Sequence, residues 1–161
     1  MALIVEDGSN VSGSNTYNTD AELQAYALAR GYTLPATETD RDILQIKAMD
    51  FINYNEPDMQ GYRVTSDQSV SFPRTGVVVN SFLIESDQIP DTLKKAQNEA
   101  AIASQTVDLL TNESISNVQK EKVDVIEKSY FKGGNKTSIT LDTVYNYLSP
   151  VLNDVNKLVR T

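Results

Sequence analysis

The residues of this sequence best suited to binding chemistry are lysines that lie close in the chain to two aromatic residues. Lysine side chains neutralise phosphate groups and aromatic rings stack on bases, so such a pattern can bind single-stranded nucleic acid. The stretch 120–136 holds five lysines and three acidic residues, a net charge of +2. A solvated hairpin of mixed charge explains the same stretch without a ligand. The binding candidates are Lys120, Lys122, Lys128 and Lys132, with Tyr130 and Phe131.

Catalytic chemistry is restricted by three residue types that the sequence lacks. The 161 residues include no histidine, no cysteine and no tryptophan. Without an imidazole or a thiolate there is no Ser-His-Asp triad, no cysteine nucleophile and no Cys/His zinc site. The carboxylates Glu38, Asp40 and Asp42 lie where a helix is predicted to begin, and they suit the positive end of its dipole. We therefore predict a non-enzymatic protein with no cofactor, metal or catalytic residue.

Acidic residues dominate the charge, and they are unevenly distributed. The chain carries 22 acidic and 14 basic residues, a net charge of −8, and residues 1–60 account for −7 with 10 acidic and 3 basic residues. An acidic surface repels phosphates, and it is also an ordinary route to solubility. No apolar run approaches the roughly 20 residues that span a bilayer, and the apolar start lacks the features of a signal peptide. We predict no membrane contact.

Two helices are predicted in the first third of the chain. The first begins near Thr19, which can form a capping box with Glu22, and ends where Gly31 fits the C′ position. The second follows Thr39 and stops before Pro57, because proline cannot continue a helix.

Two further helices are predicted in the second half. The third begins at Ile89-Pro90-Asp91, and its apolar residues recur at spacings of 4 and 3 over about 20 residues to Leu110. Three alanines at its centre allow close approach of another helix, either in the core of the subunit or between subunits. The fourth helix is capped by Thr140 and runs to Leu148.

Two segments are β-prone, and together with the helices they define the predicted fold class. The segment 61–84 reads as a loop-rich excursion with one or two short strands, and 117–131 alternates in the manner of a strand or hairpin arm. We predict a mainly α protein: a small bundle of about four helices with a protruding β-prone arm and extended termini. Its parts are a flexible N-terminal arm over 1–18, a single helical domain over 19–148 and a C-terminal docking tail over 149–161.

Several short motifs occur along the sequence in this order: Val5-Glu6-Asp7-Gly8, Ser14-Asn15-Thr16-Tyr17, Gly61-Tyr62-Arg63, Phe72-Pro73-Arg74-Thr75-Gly76, Ile89-Pro90-Asp91, Lys120-Glu121-Lys122-Val123 and Leu148-Ser149-Pro150. This ordered set resembles a family of tailed-bacteriophage proteins encoded among the head genes. Members of that family are often labelled DnaT-like single-stranded-DNA-binding proteins, and they also resemble the head–tail adaptor proteins of the phage neck. The resemblance covers nearly the whole chain, and it rests on the ordered set because no single motif is diagnostic. Where the family usually has tryptophan before Pro-Arg, this chain has Phe72.

The resemblance implies a structural subunit of the phage neck. Such a subunit assembles as a ring on the portal, commonly twelve-fold in the proteins it resembles, and links the head to the tail around the DNA channel. Its partners are then other copies of itself, the portal protein and a tail or second neck protein, and double-stranded DNA passes without sequence-specific binding. The expected location is the neck of the virion, after synthesis in the cytoplasm of the bacterial host.

Several segments are candidates for partner contact, and the sequence does not decide which docks on what. The arm over 117–131 could pair strands between subunits, and either terminus could dock on the portal. The alternative to the adaptor is a single-stranded-DNA-binding or replication-accessory protein that uses the lysines and aromatic residues of the arm. The predicted interface residues are Phe72, Pro73, Arg74, Val123, Val125, Tyr130, Phe131, Val155 and Leu158.

Overall fold

The computed structural model describes residues 2–110 and 135–153, with the backbone alone for 135–140. The predicted arm over 117–131 and the predicted tail beyond residue 153 lie outside these residues. Within them the chain forms four α-helices, α1 Asp20–Arg30, α2 Glu38–Tyr54, α3 Asp91–Ala103 and α4 Asn135–Leu148, with 3-10 turns at Glu56–Asp58 and Ser149–Val151. None of the helices in the described part of the chain is long and apolar enough to cross a membrane.

Two small antiparallel sheets lie between α2 and α3. Strand β1 (Tyr62–Arg63) pairs with β2 (Arg74–Thr75), and β3 (Val78–Val79) pairs with β4 (Phe82–Leu83). In the second sheet Val78 lies opposite Leu83 and Val79 opposite Phe82. Asn80 and Ser81 connect these strands with φ angles of 51° and 70°, the two positive values that a tight hairpin turn requires.

The predicted fold class, a mainly α bundle of about four helices, was wrong. The helices are present, but the stretch between α2 and α3 is part of the core and forms two sheets, so the fold is mixed α and β. Met59, Val70, Phe72 and Val77 are buried in one cluster with side chains of α2, α3 and α4. Removing these side chains from water stabilises the packing of the non-helical stretch against the helices.

The starts of α1 and α2 follow from local capping chemistry. The predicted capping box is confirmed: the Thr19 hydroxyl accepts from the Glu22 N–H, and the Glu22 carboxylate accepts from the Thr19 N–H. Gly31 has the left-handed conformation that was predicted for the helix end. Helix α2 begins earlier than predicted, because Thr37 rather than Thr39 is its N-cap and accepts from the Asp40 N–H at 3.3 Å.

Helix α3 is the central element, and it is shorter than predicted. It packs mainly against α2 and α4, and its alanines Ala96, Ala100 and Ala103 are buried. The helix ends at Ala103 rather than near Leu110. Ser104 is the reason, since its hydroxyl donates to the Ala101 carbonyl at 2.7 Å; serine and threonine compete in this way with helical hydrogen bonding.

The first eighteen residues contribute to the core from residue 6 onward. Tyr17 is fully buried in the main core cluster, and its backbone N–H donates to Oε1 of Gln97 on α3 at 2.9 Å. Glu6 is also fully buried and accepts hydrogen bonds from the loop that follows it. The predicted division into a flexible arm, a body and a docking tail stays a prediction, but the contacts of Glu6 and Tyr17 are those of core residues.

Candidate functional site

Three predicted interface residues lie inside the fold. Phe72 and Pro73 are buried and present no surface to a partner, whereas the Arg74 side chain is largely enclosed by hydrogen bonds to its own chain and borders an open groove. The other predicted interface residues and the four candidate lysines lie outside the described residues. They are Val123, Val125, Tyr130, Phe131, Val155 and Leu158, and Lys120, Lys122, Lys128 and Lys132.

Arg74 belongs to an ion-pair hub that joins the first sheet to the end of α2. Its Nη1 lies 3.1 Å from Glu56 Oε1, while its Nε and Nη2 donate to the carbonyls of Gln60 and Gly61 at 2.7 and 2.8 Å. Arg63 on β1 forms a two-pronged pair with the same carboxylate. The hydrogen bonds from Arg63 are the main reason that the pKa of Glu56 lies below its usual value.

The hub makes stability depend on pH. A carboxyl whose pKa is lowered by folding adds stability above its unfolded-state pKa and loses it as the pH falls through the folded-state value. We expect the free energy of unfolding of the native chain to fall on acidification below about pH 4.3. In Glu56→Gln this fall should be shallower, as measured by urea unfolding at several pH values. Equal slopes for the two proteins would contradict a stabilising role of the Glu56 charge.

An open groove of about 830 Å³ lies beside this hub. Two of its lining residues, Tyr54 and Tyr62, are 66% and 79% exposed, whereas Met59 at its floor is buried. Exposed rings in a groove can stack on bases or pack against a protein partner. The Arg74 guanidinium also lines the groove, but it is already engaged by Glu56.

The β3–β4 hairpin carries several exposed apolar side chains. Phe82 and Leu83 are 75% and 67% exposed, and Val78 is also exposed. The side chain that the hairpin buries is Val79, which packs in the main core cluster. In this register Val78 and Leu83 share one face of the hairpin, while Phe82 lies on the face of Val79, so the hairpin exposes apolar side chains on both faces. Exposed apolar side chains of this kind are candidates for protein contact. The run Val77-Val78-Val79 followed by Asn80-Ser81 was the signal of this hairpin in the sequence.

Buried Glu99 on α3 forms a second polar centre. Its carboxylate accepts from the hydroxyls of Tyr26 at 2.7 Å and Tyr32 at 3.3 Å, and burial raises the pKa of both tyrosines. The Arg30 guanidinium covers the Tyr26 ring at 3.5 Å from its centroid. The cluster ties α1 and the loop after it to α3. Among the described residues no group of three or more acidic, histidine or cysteine side chains is arranged to hold a metal ion.

The positive charges of the described residues are largely engaged within the chain. Each of the four arginines bonds to its own chain: Arg30 to a carbonyl, Arg41 to Asp20, and Arg63 and Arg74 to Glu56. Residues 2–110 and 135–153 carry 17 acidic and 8 basic side chains, a net charge of −9. This part of the protein therefore lacks the basic stripe with which nucleic-acid-binding proteins engage phosphates.

A family model matches residues 1–161 of the chain. The matching family model is described as "Putative DnaT-like ssDNA binding protein". The chain belongs to this DnaT-like family. No curated protein and no solved structure matches the chain.

Membership of the DnaT-like family confirms the family part of the sequence resemblance. The description of the family supports the alternative prediction, single-stranded-DNA binding, better than the head–tail adaptor, for which the comparisons provide no support. In the described part of the chain the four arginines are engaged by other groups of the chain and the hairpin exposes apolar side chains. Single-stranded-DNA binding requires free positive charge on the DnaT-like chain, whereas an adaptor requires protein-contact surfaces, and an experiment can separate the two.

Proposed function

We propose that the protein is a non-enzymatic structural subunit of a phage neck, a head–tail adaptor that assembles as a ring on the portal. The observation that carries the proposal is the exposed β3–β4 hairpin. Its apolar residues Val78 and Leu83 are exposed on one face and Phe82 on the other, so two neighbours in a ring could each cover one face.

The charge of the body supports a role beside DNA rather than on it. A subunit that lines a channel must let the genome pass, and lysine or arginine facing the lumen would retain phosphates. The net charge of −9 on the described residues and the engagement of Arg41, Arg63 and Arg74 by carboxylates leave little to hold a phosphate.

Native mass spectrometry tests the adaptor. The chain alone and the chain mixed with the portal protein of the same phage are compared at physiological salt. We expect a closed ring of this chain on the portal, and a Phe82→Ser plus Leu83→Ser variant that folds normally but assembles poorly. The matched control is Tyr54→Ser, another exposed residue outside the hairpin, which should assemble normally. A chain that never associates with the portal would contradict the adaptor.

Single-stranded-DNA binding is the second candidate, and the family description favours it. Its physical basis would be the lysines Lys122 and Lys128 together with the exposed rings of Tyr54 and Tyr62. Base stacking on one aromatic ring contributes about 1–3 kcal/mol, so the loss of both rings would be measurable.

A titration with fluorescent oligo-dT separates the two candidates. The adaptor predicts no measurable affinity at physiological salt. Binding that disappears in Lys122→Glu plus Lys128→Glu, but persists in the charge-matched control Lys47→Glu plus Lys95→Glu, would establish the second candidate. Salt dependence of that binding would indicate phosphate contacts. Loss of binding in Tyr54→Ala plus Tyr62→Ala would indicate that bases stack in the groove that these two tyrosines line.

A further inference from the structure

A second groove, of about 540 Å³, lies between the β3–β4 hairpin and the first turn of α3. Its apolar lining comes from Val79, Ile84, Ile89 and Pro90. The N-terminal segment closes one side of the groove, where the backbone at Gly8 contacts the backbone at Asp87. The contact is so close that a Cβ atom on Gly8 would lie 1.8 Å from the Asp87 carbonyl oxygen. The groove is thus built from three separate segments that fold against one another, and it is continuous with the hairpin that bears Phe82.

Carboxylates surround the apolar lining of this groove. Asp7, Asp87 and Asp91 all line it and are exposed. The one cation among its lining residues, Lys94, has its Nζ 3.7 Å from Glu22 Oε1 and is partly neutralised there. A ligand that matches the groove must therefore bring apolar side chains together with positive charge. A ligand of phosphate chemistry would be repelled.

We propose that this groove binds the segment 155–160 of a second copy of the chain. The segment combines three apolar residues, Val155, Leu158 and Val159, with Lys157 and Arg160, and it contains no acidic residue. It is therefore complementary in charge to the groove, whereas residues 2–110 and 135–153 carry a net charge of −9 and the lysine-rich stretch 120–136 also holds three acidic residues. The inference rests on the ring assembly proposed above, since a contact between one segment and a different surface of the neighbour is heterologous, and heterologous contacts generate a ring when the rotation between subunits closes.

Disulfide cross-linking tests the contact directly, because the native chain has no cysteine and hence no background. Gln88 is an exposed residue of the groove and can be replaced by cysteine in the same chain as Val159→Cys. Under mild oxidation this double variant should give covalent dimers and larger species on a non-reducing gel. The matched control carries Asp50→Cys with Val159→Cys; Asp50 is exposed on α2 and does not line the groove, so this pair should remain monomeric.

Charge reversal gives a second measurement on the same proteins. Adding Asp87→Lys to the Gln88 and Val159 cysteine pair should reduce the yield of cross-linked species at least fivefold, whereas adding Asp50→Lys should leave it unchanged. The proposal is overturned by a cross-link within one chain only, by equal yields from the groove and control pairs, or by no cross-link. A ring on the portal together with any of these results would retain the adaptor and reject this contact, since a ring can close through other surfaces.

Discussion

Replacing Phe72 with alanine should lower the free energy of unfolding by about 3–5 kcal/mol, the usual cost of truncating a buried phenylalanine. Phe72 is 0% exposed and lies in the main core cluster with Ile52, Leu93 and Leu148. It connects the stretch between α2 and α3 to three of the helices, so the cavity would open where several elements meet. Few of the surrounding side chains can move to fill it without losing contacts of their own.

The measurement is urea unfolding followed by circular dichroism, with Phe82→Ala as the matched control. Phe82 is the same residue type but 75% exposed, so its truncation should change the free energy of unfolding by no more than about 0.5 kcal/mol. Equal losses in the two variants would contradict the burial of Phe72. The outcome also bears on function, because a core residue cannot be the partner contact that the sequence suggested for Phe72.

Helix α1 was predictable because its signals are local, whereas α4 begins at Asn135 and not at the predicted cap Thr140. Thr19 and Glu22 satisfy each other's backbone within one turn, and Gly31 ends the helix by its own conformation, so no distant residue is needed. The end of α3 was predicted too late because the apolar spacing continues to Leu110, while the side chain of Ser104 ends the helix. A periodic pattern reports which face is apolar, but not whether a hydroxyl competes for the backbone.

The core role of the stretch between α2 and α3 was not predictable in this way. Phe72 pairs with residues that lie far away in the chain, and its backbone N–H donates to the Tyr17 hydroxyl at 3.0 Å across 55 positions. No residue pattern near Phe72 in the sequence predicts this contact. Likewise the exposure of Tyr62 and Phe82 depends on which side of a two-residue strand meets the core. Both candidate surfaces therefore became visible only in the folded chain.

Replacing Glu6 with alanine should destabilise the protein by about 3 kcal/mol or more, because it leaves several buried donors without an acceptor. Oε1 of Glu6 accepts from the N–H groups of Gly8 and Asn10, both at 2.9 Å. Oε2 accepts from the N–H of Val11 at 2.8 Å and from the Ser14 hydroxyl at 3.1 Å. One fully buried carboxylate thus accepts the hydrogen bonds that a neighbouring strand would accept in a sheet, and it does so for a loop without regular secondary structure.

Glu6→Gln separates the loss of hydrogen bonds from the loss of side-chain volume. The amide retains one oxygen acceptor but turns a donor toward groups that also donate, so we expect it to lose about half as much stability as Glu6→Ala. Urea unfolding measures the total effect, with Asp50→Ala as the exposed control, and amide hydrogen exchange at Gly8, Asn10 and Val11 measures the local one. Unchanged exchange at these three amides in Glu6→Ala would contradict the role assigned to the carboxylate. Accelerated exchange there would show that Glu6 holds the segment whose Gly8 contacts the backbone of Asp87, and so holds one wall of the acidic groove in place.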